Sequence, residues 1–232
     1  MTWFQAVLFE NGDTLFHKAD RAPVITGLAA QLGCQVDLER AREAWLAVKA
    51  HKQAISDEAL VFGRNRSAEG HRRYYGECYA PLDAIVPGLA ESFYEQFKTS
   101  PVSMIPYPDT APTLAALRDA GVSVGIVSNT GWNIREGYER AGLDVYIDAW
   151  VLSFEHGIAK PEPEIFAIAC AQLDVDPAVT LMVGNNGYAD SGAVAAGCAS
   201  LVLPKTRPGE RRGLDAVLRL VGIEQPSAIG AL

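Results

Sequence analysis

The sequence predicts an α/β protein: a doubly wound parallel sheet, interrupted after its first strand by a helical insertion. Three observations carry this reading. Residues 3–9 form a short apolar run, aromatic or β-branched at its key positions, which is the pattern of a buried strand. Residues 17–100 then show apolar positions spaced by three and four. From Thr110 onward, helical and strand-like segments alternate, the order of a parallel sheet with helices on both faces.

Taken in order, the first strand runs into Asn11-Gly12, a turn dipeptide. Helical spacing follows over Val24–Leu32 and over Leu38–Ile55, where Ala41, Ala44, Trp45, Val48 and His51 share a face. Two more helices are predicted at His71–Tyr79 and Leu89–Phe97, and Pro101, Pro106 and Pro108 punctuate the return. The alternating half then supplies a helix at Ala111–Ala120, a strand at Val122–Val127, a helix at Trp132–Ala141 and a strand at Ala149–Leu152. It continues with a helix at Glu162–Gln172, a strand at Val179–Val183, a helix at Asp190–Ala196, a strand at Ala199–Leu203 and a helix near Leu214–Val221. Residues 1–16 with 101–232 are expected to form the α/β core, and 17–100 a helical domain.

A chain of 232 residues has ample material for one substantial core with an insertion. No apolar run approaches a membrane span, and no basic stretch followed by a long apolar run opens the chain. A net charge of −8 argues against nucleic acid as a partner. The four cysteines, Cys34, Cys78, Cys170 and Cys198, are scattered, as in the reduced proteins of the cytoplasm. The expectation is a cytoplasmic protein that binds neither nucleic acid nor membrane; the sequence is silent on oligomeric state.

Four segments carry the candidate chemistry. The first strand leads into Glu10-Asn11-Gly12-Asp13-Thr14-Leu15. The run Val122–Val127 ends in Ser128-Asn129-Thr130, and Gly157-Ile158-Ala159-Lys160-Pro161-Glu162-Pro163 follows. Last, Leu181-Met182-Val183 leads into Gly184-Asn185-Asn186-Gly187-Tyr188-Ala189-Asp190. Ligands of open α/β sheets bind beyond the carboxyl ends of the strands, so Glu10, Ser128, Lys160, Asn185 and Asp190 should converge there.

On these segments the chain resembles the haloacid dehalogenase-like hydrolases, over residues 3–16 and about 105–205. The resemblance implies a Rossmann-like core and, at 17–100, a C1-type helical cap. In that family the first segment reads Asp-x-Asp-Gly-Thr-Leu. The first Asp attacks phosphorus, the second serves as acid and base, and magnesium is held by the nucleophile, a backbone carbonyl and a fourth-segment Asp. The Ser or Thr of the second segment and the Lys of the third bind phosphate. The resemblance therefore implies metal positions at Glu10, Gly12, Asn185 and Asp190, and phosphate contacts from Ser128, Asn129 and Lys160; Trp132, immediately after the second segment, is placed either to touch a ligand or to pack the first turn of its helix.

The chain departs from that pattern where the chemistry is done. Glu10 adds a methylene, a displacement of about an ångström that can cost ~10²-fold. Gly12 has no side chain, which removes acid–base help worth ~10²–10⁴-fold. Asn185 offers magnesium a neutral oxygen in place of a carboxylate. Standard magnesium-dependent phosphatase turnover is therefore not expected; no cofactor is needed, and magnesium binding should be weak. Catalytic candidates are Glu10, Lys160 and Asp13, the last either replacing the missing acid–base or capping its turn. His17 is either an acid–base group or a hinge residue. Asp190 is either a metal-site relic or a helix N-cap. Trp45, His71, Tyr74, Tyr75 and Tyr79 should pack the cap core, a minority facing a pocket, while Arg64, Arg66, Arg72 and Arg73 make a solvated face. The ligand expected is a small anionic molecule, and the protein is either non-catalytic or repurposed. The alternative is a divergent hydrolase working through Glu10 or Asp13.

Overall fold

The computed structural model describes residues 3–99 and 104–223; residues 1–2, 100–103 (Pro101 among them) and 224–232 lie outside the described residues. At its centre is β1 (Ala6–Phe9), with β4 (Ser123–Ser128) on one side and β6 (Thr180–Gly184) on the other. Beyond these lie β5 (Ala149–Leu152), which runs into the short helix α8 (Ser153–His156), and β7 (Ala199–Val202), giving the order β5-β4-β1-β6-β7 with every pairing parallel. The α/β class is as predicted.

All four residues of β1 are fully buried, because both faces of the sheet are covered; this is why the strand reads as a continuous apolar run. Val7 and Phe9 join Ile126 and Val183 in a cluster closed by α6 (Thr110–Asp119) and α10 (Asp215–Val221). Leu8 points the other way, with Val127, Val151 and Met182, against Ile165 and Phe166 of α9 (Pro163–Leu173). Each such buried aliphatic or aromatic side chain contributes about 1.5–3 kcal/mol. A Cβ on Gly125 would come within 2.7 Å of Leu8, so glycine admits β4 beside β1 there. The chain builds one half of the sheet on each side of β1, and the crevice between them opens where Glu10 leaves the strand.

Two short strands flank the insertion, β2 (Phe16–His17) and β3 (Ile105–Pro106), paired antiparallel as Phe16↔Pro106 and His17↔Ile105. Two-residue strands carry no periodicity, and Pro106 reads as a breaker, so sequence pattern misses this ribbon; a proline is tolerated at such an edge. Between them lie α1 (Arg21–Gln31), α2 (Leu38–Ala54), α3 (Glu58–Gly63), α4 (Ala68–Tyr79) and α5 (Leu89–Thr99). Asp20, Asp37, Asp57 and Ser67 each accept a backbone N–H in the first turn of α1 to α4. These helices enclose their own cluster, including Ile25, Val48, Tyr74, Cys78, Leu82 and Phe93. The Asp20 cap starts α1 three residues before the apolar spacing does, which brings Arg21 into the helix. Among the described residues no helix is long and apolar enough to cross a membrane.

The C-terminal segment is tied to the crevice by one buried carboxylate. Asp109 accepts N–H bonds from Arg212 (2.7 Å), Gly213 (2.8 Å) and Leu214 (3.0 Å), at 1% exposure. The buried Arg212 side chain donates in turn to the carbonyls of Asp13 (2.8 Å) and Pro204 (2.5 Å). Asp109→Ala would leave three amides, those of Arg212 and Leu214 buried and that of Gly213 partly so, without this acceptor, and is expected to cost about 3 kcal/mol in urea unfolding, with Asp109→Asn intermediate.

Candidate functional site

Glu10 is the first residue beyond β1, anchored by its own N–H on the carbonyl of Val183 (2.9 Å). One carboxylate oxygen, Oε1, accepts from Asn11 N (2.8 Å), Gly12 N (3.3 Å) and Ser128 Oγ (2.8 Å). The other, Oε2, accepts from Lys160 Nζ. The Lys160 side chain is fully buried, and its ammonium also donates to Asp190 Oδ1 at 2.6 Å. Removing one partner from such a buried pair costs about 3–5 kcal/mol. Asp190, itself fully buried, accepts from the backbone of Asn185 (2.9 Å) and Asn186 (2.8 Å). A Cβ on Gly184 would lie 2.0 Å from that carboxylate, so only glycine leaves it room. Asn129 exchanges hydrogen bonds with the Lys160 backbone, at 2.9 and 2.8 Å, and so positions the lysine.

The strand tips therefore bring Glu10, Ser128, Asn129, Lys160, Asn185 and Asp190 together. They do so in a different sense from the phosphate half-site that the resemblance implies. The amides of Asn11 and Gly12, the Ser128 hydroxyl and the Lys160 ammonium all donate to Glu10. The Glu10 carboxylate occupies the cradle as an internal anion. The second-segment amides are also not at a helix start: α7 (Arg135–Ala141) begins three residues later than the spacing suggests, because the Thr130 hydroxyl bonds both N and O of Trp132 and holds that stretch in a turn. Asp190 does not N-cap its short 3-10 helix, Asp190–Ala196, where no side-chain cap bond is made; it clamps the loop after β6 and holds Lys160.

The residues present do not fit magnesium in the manner of the resemblance. The Gly12 carbonyl already accepts from the Asn185 amide at 3.1 Å, which turns that side chain's NH2 toward the expected metal position. Glu10 and Asp190 share Lys160, so the remaining charge available to a dication is small. Among the described residues no group of three or more His, Cys, Asp or Glu is placed to hold a metal.

The helical insertion covers this site closely. His71 of α4 is 2% exposed, with Nδ1 3.0 Å from the Tyr94 hydroxyl. Its ring stacks on Tyr75 at 4.2 Å and meets Trp132 edge-on at 4.8 Å. A Cβ on Gly131 would lie 2.0 Å from His71 Cβ, so glycine permits this contact between α4 and the second segment. Burial, with smaller effects from Lys98, Lys18 and Lys52, lowers the His71 pKa to about 3, leaving the ring neutral at pH 7. Beneath it is a chamber of about 100 Å³ lined by Glu10, Asn11, Ser128, His71 and Trp132, so Trp132 both packs and faces the pocket. Lys18, Tyr75 and Phe97 also border a larger chamber of about 580 Å³, which runs between α1, α2 and α4 past Arg21, Trp45 and Tyr79.

Other expectations are redirected. Asp13 is exposed, with a left-handed backbone (φ 55°), and faces a separate cleft with His17, Tyr107 and Arg212. It stands apart from the Glu10 chamber, because its loop turns the side chain outward. His17 is buried against Tyr107 in the ribbon at a ring separation of 5.0 Å. Arg66 belongs to no solvated face: it crosses to the core, pairing with Glu162 and donating to the Gly157 carbonyl at 3.0 Å. Tyr74 packs in the helical cluster, whereas Trp45, Tyr75, Tyr79 and His71 reach the chambers. Lys18, Arg21 and the buried, unpartnered Asn11 Oδ1 were not singled out from sequence. The Asp20 cap was the signal available for Arg21.

Comparison with known proteins agrees with the geometry of the core. The family model for haloacid dehalogenase-like hydrolases matches residues 4–197. A glyceraldehyde 3-phosphate phosphatase of Methanopyrus kandleri is 25% identical over 91% of this chain and 87% of its own length. An (S)-2-haloacid dehalogenase of a Pseudomonas species is 38% identical over 92 residues, 39% of this chain and 40% of that enzyme's length. The solved HAD phosphatase of Thermococcus onnurineus superposes with a TM-score of 0.61 at 26% identity, covering 95% of this chain and 99% of its own.

Two outcomes are expected. Titration calorimetry with magnesium at millimolar concentration should give no saturable heat, and a site with Glu10 and Asn185 oxygens at about 2.1 Å from the ion would overturn this. Second, a His whose folded pKa is depressed contributes stability at neutral pH that is lost as pH falls below its unfolded pKa of about 6.5. Between that value and about 3, stability should fall by about 1.4 kcal/mol per pH unit from this residue, a dependence that His71→Phe should remove in urea unfolding at pH 7 and 4.5.

Proposed function

The chain belongs to the haloacid dehalogenase-like hydrolase family, and we propose that it has left the family's aspartyl-phosphate chemistry and binds a small anionic molecule in the space between its core and residues 17–100, which we read as the cap. One observation carries this reading. Glu10 accepts at once from Asn11 N, Gly12 N, Ser128 Oγ and Lys160 Nζ, so the donors that would stabilise a transferring phosphoryl group are satisfied by the protein itself. A phosphate dianion entering there would have to displace a carboxylate from a buried ammonium, and Gly12 would offer it no proton. Both oxygens of Glu10 are stabilised as an anion, which also lowers the carboxylate's reactivity as a nucleophile.

A second reading has one observation in its favour. The Glu10 side chain is 14% exposed and borders the inner chamber, so a carbon electrophile seated there would meet a carboxylate, as in a divergent hydrolase. Release from Lys160 would have to precede attack, which makes it the weaker reading.

The test is hydrolysis of p-nitrophenyl phosphate with magnesium. Wild type should show none of the usual turnover of about 1–10³ s⁻¹, and activity in that range abolished by Glu10→Ala would defeat the proposal. The companion variant is Glu10→Asp with Gly12→Asp and Asn185→Asp. A side chain at Gly12 is sterically admitted, since a Cβ there meets nothing within 4 Å. The triple variant is expected to gain magnesium-dependent activity that no single change gives, because residues acting as a unit are non-additive.

A further inference from the structure

Arg21 is a buried charge that the strand-tip site leaves unexplained. At 7% exposure it makes no ion pair or hydrogen bond among the described residues, and Asp13 and Asp20 act on it only from beyond ion-pair distance, too weakly to offset its burial. Its guanidinium lies over the rings of Phe97 (4.9 Å) and Trp45 (5.9 Å). Ring contacts of this kind offset only part of what it costs to take a guanidinium out of water. A buried charge of this kind calls for an anion.

The surroundings of Arg21 point to the same need. It borders the chamber of about 580 Å³, a volume within the range of small-molecule sites, and Lys18, Lys49 and Lys52 border it too. None of these three lysines forms an ion pair among the described residues. The one carboxylate at this wall, Asp20, is engaged in capping α1 through Ala22 N at 3.2 Å. The apolar walls are aromatic: Trp45, Tyr75, Tyr79 and Phe97. The inner chamber has the opposite character. Its wall carries Glu10, whose ammonium partner Lys160 lies behind the lining and is shared with Asp190, and Asn11 Oδ1 there is buried without a donor.

We propose that the larger chamber is the anion subsite, taking the carboxylate or phosphate of an aromatic ligand on Arg21, with the ring against Trp45, Tyr79 and Phe97. The uncharged, hydrogen-bond-donating end of the ligand then points inward, toward Asn11 and Glu10. This rests on the space between core and cap being a ligand pocket, and adds that the negative group binds under the cap and not at Ser128 and Lys160. Arg21 supplies a planar fork for two oxygens, and the lysines at the mouth raise the local anion concentration.

The experiment is calorimetric titration with 2-naphthyl phosphate, 2-naphthoate, 2-naphthol and inorganic phosphate against wild type, Arg21→Met, Arg21→Lys and Ser128→Ala. Wild type and Ser128→Ala should bind both naphthyl anions alike, the stronger of the two identifying the preferred oxyanion. Binding of 2-naphthol should be at least about tenfold weaker, and of inorganic phosphate weaker still, a tenfold step being one lost charge contact of modest strength. Arg21→Met should lose at least that factor for the anions alone, and Arg21→Lys less. Without ligand, Arg21→Met should melt about 2–4 °C above wild type, because an unpaired buried charge has been replaced by an apolar chain. Equal anion binding by Arg21→Met, or a lower melting temperature for it, overturns the inference. Loss of anion binding in Ser128→Ala but not in Arg21→Met moves the anion to the strand tips, overturning the inference and leaving the proposed function standing. No binding of either anion by wild type overturns both.

Discussion

A single ammonium, that of Lys160, is shared between carboxylates that follow the central strand and its neighbour β6. Glu10 comes from the end of β1 and Asp190 from beyond β6, while Ser128 and Asn129 at the end of β4 complete the ring around them. None of the three charges is tolerable alone at that depth. Their mutual satisfaction holds the carboxyl ends of the three central strands in register with one another. The glycines at 12 and 184 follow from it: the first frees an amide for Glu10, and the second lets the Asp190 carboxylate approach the backbone. This cluster serves as the keystone of the crevice.

That arrangement also sets the electrical character of the space above it. A site whose cation is already shared by two carboxylates has little attraction for another anion, whereas the wall formed by α1 and α2 carries an excess of positive charge, Arg21, Lys49 and Lys52 against Asp20. The two chambers touch through Lys18, Tyr75 and Phe97, so one molecule spanning them would feel a potential that falls along its length. Orientation of a ligand would then come from the field of the protein before any specific contact is made.

The core was legible in the sequence because both faces of its sheet are covered. Buried parallel strands read as unbroken apolar runs, and the site residues sit where those runs stop. The β2–β3 ribbon was not legible, since two residues cannot show a period and Pro106 argues against a strand. The direction of the Glu10 carboxylate was also hidden: Glu for Asp announces a longer side chain, but not that it folds back onto its own loop amides. Asp13 could be placed only by the backbone turn that faces it outward. Arg21 escaped notice because an apolar pattern locates a helix by its buried face, and Arg21-Ala22-Pro23 lies ahead of the spacing that begins at Val24. His71 was visible as one ring among several, and only the approach of Gly131 distinguishes it.

That approach has a consequence for timing. With α4 lying on the second segment through His71 and Gly131, and Arg66 fastened across to Glu162, the inner chamber is narrowed to about 100 Å³, with the Glu10 side chain 14% exposed. A molecule larger than that space would reach Glu10 only if these contacts parted, a motion of the microsecond-to-millisecond class. Exchange of such a molecule would then be set by the opening of residues 17–100 and not by diffusion. Once seated, a ligand would be retained by contacts that it did not itself have to form, so a slow off-rate can accompany a modest affinity.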